Sequence, residues 1–159
     1  RPALTHFVQN AVARLWKYNQ KTSAITVYLS TNRFRKNIGQ RNASVSLEIE
    51  VTDDLIKLNN LAQRVLEKAF KYGFEYHKVG ILFHDLVSVK NIPTSLFEEE
   101  SDSQKSSQLM RVVEKINKKF GRYTVTTASS SGNSDWKARS KFRSPAFTTC
   151  WSELPVIHI

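Results

Sequence analysis

The spacing of apolar residues switches between two periods along the first part of the chain, and this order constrains the fold most. Residues 3–18 place apolar side chains at helical spacing, with Pro2 where an entering proline is tolerated, so an amphipathic helix is predicted. Residues 23–33 and 43–51 instead alternate apolar and polar side chains, as half-buried strands do. The loop at 37–42, which contains Gly39, favours an antiparallel hairpin between the two strands.

A second helix and a third strand complete the pattern. Thr52 is the predicted N-cap, and the acidic side chains of Asp53 and Asp54 suit the positive end of a helix whose apolar stripe runs from Leu55 to Ala69. Residues 78–89 form the third predicted strand. The order α-β-β-α-β predicts an α+β domain, in which one antiparallel sheet carries both helices on a single face.

The composition changes after residue 91. We predict a domain over residues 1–91, a linker over 92–107 and a C-terminal tail region over 108–159. A helix is expected from about Gln104 to Phe120. The alternation of Tyr123, Val125 and Thr127 predicts a short strand after it.

The charge points to a polyanionic partner. The chain has 24 Lys and Arg residues against 14 Asp and Glu, a net charge of +10, which favours nucleic acid or an anionic membrane. No apolar run approaches the ~18 residues of a membrane span, and no signal peptide begins the sequence, so a cytoplasmic location is predicted. Cys150 is the only cysteine, which excludes an intrachain disulfide.

Basic residues concentrate around the first strand. The segment from Arg14 to Arg41 contains seven basic residues and no acid. The outer face of this strand carries hydroxyl side chains that can donate to phosphate oxygens while neighbouring Arg and Lys neutralise them. Such a face would hold a DNA backbone without reading its sequence. The alternative is a solvated basic surface without a ligand.

The tail carries a second basic group that alternates with aromatic residues. Two interpretations stay open: the aromatic and Arg side chains stack on the bases of a single strand, or the aromatic residues anchor the tail on the domain. The candidate residues for docking or partner contact are Trp136, Arg139, Arg143, Phe147 and Trp151.

The residues of a catalytic centre are not evident. The adjacent acids Asp53 and Asp54 suit a helix cap better than a metal site, the four histidines show no ligand spacing, and no Gly-rich phosphate loop occurs. We therefore predict no catalytic residues, no metal site and no cofactor in this chain.

Several ordered motifs resemble one family. The run from Arg143 to Pro155, Arg-Ser-Pro-Ala-Phe-Thr-Thr-Cys-Trp-Ser-Glu-Leu-Pro, resembles the C-terminal signature of UmuC-type (ImpB/MucB/SamB) Y-family translesion DNA polymerases. Thr31-Asn32-Arg33-Phe34 and Tyr76-His77-Lys78-Val79-Gly80-Ile81 resemble segments of the same family's little-finger domain. The resemblance covers nearly the whole chain.

The resemblance implies a non-catalytic little-finger domain with a tail, which grips primer–template DNA during SOS-type damage tolerance. A further strand precedes the first helix in the family, and the palm domain with its Mg²⁺ lies upstream of Arg1, so both are expected to be missing here. Glu48 and Glu50 would repel phosphate and are expected to lie beyond the contact. The implied DNA-binding residues are Thr26, Tyr28, Ser30, Arg33, Arg35, Lys36, Arg41, Ser44 and Ser46.

The resemblance also implies protein partners. Residues 92–97 occupy the place of the family's sliding-clamp peptide, and Leu96 and Phe97 match its apolar pair, although Pro93 and Thr94 depart from the pattern. A UmuD-type accessory subunit and the recombinase filament are the other implied partners of the tail.

Two rival functions stay open. With a first strand restored, the element order approaches that of an RRM-like RNA-binding module, but such sheets stack bases on aromatic residues of their central strands, and residues 43–50 contain none. The second rival is a protein-interaction scaffold that binds no nucleic acid.

Overall fold

The computed structural model describes residues 1–34, 39–89, 100–121, 123–130, 136 and 144–154. The elements of the first part are helix α1 (Pro2–Lys17), strand β1 (Gln20–Thr31), strand β2 (Asn42–Thr52), helix α2 (Leu55–Ala69) and strand β3 (Tyr76–Ser88). Helix α3 (Glu100–Phe120) follows, and two short 3₁₀ turns lie at Ala128–Ser130 and Trp151–Glu153. The predicted α+β class and the order α-β-β-α-β are confirmed.

The three strands form one antiparallel sheet in the order β2-β1-β3, so β1 is the central strand. Each side chain of β1 that faces the helices lies between partners on both neighbours: Val27, for example, pairs with Val45 and Ile81. The predicted hairpin of the first two strands is therefore confirmed. Residues 43–50, which contain no aromatic residue, were expected to correspond to a central strand of an RRM-like sheet. In this sheet they belong to the edge strand β2.

Both helices pack on the same face of the sheet. Their apolar stripes meet the inward side chains of β1, because strand alternation sends every second residue to that face. Met110 of α3 joins the same core, which ties the third helix to the domain. The core consists of Leu4, Val8, Val12, Leu15, Ile25, Val27, Leu29, Leu55, Leu58, Ala62, Val65, Leu66, Ala69 and Met110.

Helix α2 begins two residues later than predicted. Asp54, not Thr52, is the N-cap: its carboxylate accepts hydrogen bonds from the backbone N–H of Ile56 (2.7 Å) and Lys57 (3.1 Å). Thr52 instead accepts a hydrogen bond from the Asp54 N–H, which orders the turn before the helix. A carboxylate satisfies two free N–H groups and also suits the helix dipole, so it is the better cap here.

The tail differs from prediction in two places. Helix α3 begins at Glu100, so the last residues of the predicted linker are helical. The short strand expected at Tyr123, Val125 and Thr127 is wrong: turn and bend geometry occurs there, followed by the 3₁₀ turn. Asn117 explains part of this difference, because its side chain both accepts from the Val125 N–H and donates to the Val125 carbonyl, in place of a strand partner.

Candidate nucleic-acid interface

The face of the sheet opposite the helices divides into a closed end and an open end. At the closed end, Thr22 and Thr26 of β1 are buried although they face away from the core. The Thr22 hydroxyl donates to the His84 carbonyl (2.7 Å), and the Thr26 hydroxyl is hydrogen-bonded to Ser46 (2.8 Å) and to the His84 ring (2.9 Å). Because these hydroxyls already have protein partners, Thr26 is poorly placed to donate to a phosphate.

The open end begins at Tyr28, which is 38% exposed. Tyr28 pairs with Ser44 on β2 and with Gly80 on β3. A Cβ at position 80 would lie 2.3–2.5 Å from three atoms of the Tyr28 side chain, so the ring lies across the glycine and only glycine leaves it that space. The ring is thereby held against the sheet beside exposed Ser44.

A cleft of about 430 Å³ lies beyond Tyr28, where the strands end. The pairing of Ser30 with Asn42 on one side and Lys78 on the other forms its floor. Within the described ranges, neither of its two cations, Arg33 and Lys78, forms an ion pair with a carboxylate. Its lining residues are Ser30, Thr31, Asn32, Arg33, Phe34, Gln40, Asn42, His77 and Lys78.

Local hydrogen bonds hold the rim of the cleft. The Asn32 side chain accepts from the Phe34 N–H (3.0 Å), and the Gln40 amide donates to the Arg33 carbonyl (3.2 Å). The Arg33 guanidinium lies 5.2 Å from the centre of the exposed Phe34 ring, a distance at which a cation and a ring attract each other. These contacts fix a positive charge beside a concave surface, the arrangement that a phosphate needs.

The predicted DNA-binding residues therefore do not lie together. At the open end lie Tyr28, Ser30, Ser44 and Arg33. Thr26 and Ser46 are hydrogen-bonded to each other at the closed end. Arg41 does not line the cleft, and its guanidinium lies 5.7 Å from the centre of the Phe74 ring. Arg35 and Lys36 lie outside the described residues.

Sequence reasoning did not select Lys78, His77 or Asn42 as binding residues. The motif that contains Lys78 indicates only a family resemblance. It does not predict a binding residue, because the sequence does not show that β3 pairs with β1. The register places Lys78 directly opposite Ser30, and that long-range pairing supplies the second cation of the cleft. Exposed Glu48 pairs with Ala24 toward the closed end, and neither Glu48 nor Glu50 lines the cleft.

The tail residues also separate into two groups. Trp136 contacts α1: its ring centre lies 5.1 Å from that of His6 and 5.8 Å from that of Phe7. The His6 ring also packs against Tyr123 at 4.9 Å. Trp151, by contrast, is 89% exposed, and Phe147 is about half exposed, so neither anchors the tail as the docking interpretation required. Arg139, Arg143, Leu96 and Phe97 lie outside the described residues.

The described residues contain neither a metal-binding cluster nor a membrane-spanning helix. No group of three or more His, Cys, Asp or Glu side chains in these ranges could hold a metal ion. No helix in the same part of the chain has the length and apolar character needed to cross a membrane.

An antiparallel sheet with two helices on one face, and an open face that ends in a cationic cleft, defines a little-finger-like α+β domain. Residues 1–96 match the impB/mucB/samB family C-terminal domain, and residues 107–157 match a domain of unknown function (DUF4113). The chain therefore belongs to the impB/mucB/samB family, as the sequence motifs indicated.

Individual relatives agree with this assignment. The chain is 27% identical to Protein UmuC of Salmonella typhimurium over 97% of its own length, and 26% identical to Protein SamB of Salmonella typhimurium over 98%. It is 24% identical to Protein MucB of Escherichia coli over 99%. The chain spans 37% of the length of each of these relatives.

Proposed function

We propose that this chain is the DNA-gripping C-terminal part of a Y-family translesion polymerase and binds the backbone of primer–template DNA. The observation that carries the proposal is the cleft, in which Arg33 and Lys78 meet at the open end of the sheet. Family membership supports DNA as the polyanion, and the net charge of +10 supports a polyanionic partner in general.

The cleft suits a backbone contact more than base-edge recognition. Cations and hydroxyls that bind phosphate oxygens fix the position of a duplex and carry no sequence information. Ser30 and Asn42 add polar groups beside the cations. The Ser30 hydroxyl already donates to the Asn42 side-chain oxygen (2.7 Å), so the amide N–H groups of Asn42 are the donors that this pair can offer to a phosphate. A polymerase that must accept damaged templates requires such sequence-independent binding. The proposal assigns this chain a binding role and no catalytic step.

The test compares two double charge reversals by measuring affinity for a primer–template duplex across a salt series. Arg33→Glu with Lys78→Glu changes the cleft. Lys57→Glu with Arg64→Glu makes the same charge change on exposed positions of α2, the helix on the opposite side of the sheet. The wild-type slope of log K against log salt should be about −4 to −6.

We expect the cleft variant to lose at least about tenfold in affinity relative to the α2 variant, and its slope to become shallower by about 2, because two phosphate contacts are removed. Equal losses in the two variants would mean that only net charge matters, and the cleft would then not be the binding site.

We also propose two contacts with protein partners, which rest on the family resemblance and not on the cleft. One is clamp binding through Leu96 and Phe97, which lie outside the described residues. The other is contact of the tail with an accessory subunit or a recombinase filament. Exposed Trp151 and Phe147 favour a partner for the tail over docking on this domain.

A further inference from the structure

The open end of the sheet combines the cleft with an aromatic ring that a backbone contact does not require. Tyr28 lies on the central strand two residues before Ser30, which is about 7 Å along a strand. A nucleotide spans a similar distance between its base and the neighbouring phosphate. The backbone positions of Tyr28 and of Ser30, which lines the cleft, are therefore about one nucleotide apart along the strand.

The orientation of the ring is set by Gly80. Since three atoms at the hydroxyl end of the Tyr28 side chain (Cε1, Cζ and Oη) occupy the space where a Cβ of residue 80 would stand, this end of the ring lies over the glycine. The partial exposure of Tyr28 agrees with this geometry. Leu82, two residues further along β3, is half exposed and extends the apolar surface beside the ring.

We propose that Tyr28 is a stacking platform for an unpaired base of single-stranded DNA, whose neighbouring phosphate lies in the cleft of Arg33 and Lys78. The inference rests on the proposed function, because it uses the same cleft, and it adds a base contact to a backbone contact. Bases of any identity offer a flat face to an aromatic side chain, so the contact stays sequence-independent. The charge of the cleft selects a polyanion over an apolar protein segment as the occupant.

The experiment measures binding of the 159-residue chain to two oligonucleotides with equal numbers of phosphates. One is oligo-dT of about twelve nucleotides, within the site size of ~4–16 nucleotides for such surfaces, and the other is a fully abasic strand of the same length. The ratio of the two affinities isolates the base contact, because the phosphate contribution is the same in both.

We expect the wild type to prefer oligo-dT by about 5- to 150-fold, the range of one stacked base. Tyr28→Phe keeps the ring and should keep this preference, whereas Tyr28→Leu should lose it. The cleft double variant Arg33→Glu with Lys78→Glu should bind both strands more weakly but retain the ratio. Circular dichroism of each variant checks that the sheet is intact.

Failure of this inference is distinct from failure of the proposed function. A wild type without preference for oligo-dT, or a Tyr28→Leu variant that retains it, would overturn the stacking platform while leaving duplex binding as measured. Stronger binding to oligo-rU than to oligo-dT by tenfold would overturn the assignment to DNA. Binding of neither strand, with duplex binding intact, would also overturn it.

Discussion

The two faces of the three-stranded sheet differ in burial: one packs against the helices, and the other is partly exposed. On the helix side, Ile25 and Val27 are completely buried and have apolar partners on both neighbouring strands. On the opposite side, Tyr28 and Ser30 are partly exposed, and Ser30 lines the cleft together with Arg33 and Lys78. Because side chains alternate along a strand, adjacent residues serve stability and binding separately. Substitution of an exposed residue on the outer face should therefore change stability much less than substitution of a buried residue on the inner face.

The largest expected effect comes from the buried face. Ile25→Ala should destabilise the domain by about 2–5 kcal/mol, because it removes buried methyl groups and leaves a cavity between the helices and the sheet. Leu82→Ala, on the exposed face, should change the free energy of unfolding by only about 0.5 kcal/mol. Urea denaturation of both variants measures the difference. Similar losses of unfolding free energy in the two variants would show that the outer face of the sheet is also buried in solution.

A smaller effect should come from the contact between Tyr28 and Gly80. Gly80→Ala must push the ring aside, but the atoms in the way are at the far end of a side chain, so we expect a cost of about 1 kcal/mol. In a Tyr28→Ala background the same change should stabilise the domain by about 0.5–1 kcal/mol, since alanine suits a strand better than glycine. A double-mutant cycle in urea measures this coupling. Additive effects would mean that the ring does not lie on Gly80.

The smallest effect concerns Asp53, at the junction of β2 and α2. Burial raises the pKa of its carboxyl above the ordinary 3.8, although Lys21 at 3.8 Å and the more distant Arg111 lower it. The folded protein thus holds this proton more tightly than the unfolded chain does. Stability should consequently fall as pH rises through the interval between 3.8 and the raised pKa, and stay lower above it.

Asp53→Asn removes this pH dependence. Urea midpoints over a pH series should show the wild type losing stability relative to the variant as pH rises from below 3.8 to neutral. Lys21→Gln should enlarge the loss in the wild-type background, because the cation that partly offsets burial is gone. Parallel curves for wild type and Asp53→Asn would contradict the assignment to this carboxyl.

The sequence was sufficient to predict most of the secondary structure. Apolar spacing predicted both helices and all three strands with small errors at their ends, and it correctly divided β1 into an inward and an outward face. It failed where a side chain competes with the backbone for hydrogen bonds: the carboxylate of Asp54 moved the start of α2, and the amide of Asn117 replaced a strand partner of Val125. Such local competition depends on geometry that residue patterns do not contain.

The sequence alone determined the family, the helical and extended segments, and the positive charge, because each depends on residue identity and spacing. Only the tertiary structure decided which hydroxyls were buried, which basic side chains line the cleft and which strands were neighbours. Thr26 and Ser30 are equivalent in the sequence pattern, yet Thr26 is buried against His84 and Ser46, while Ser30 bonds to Asn42 and lies beside Lys78 in the cleft. The reason is the register of β1 with β2 and β3, which joins residues far apart in the chain and follows from the packing of the whole sheet on its helices.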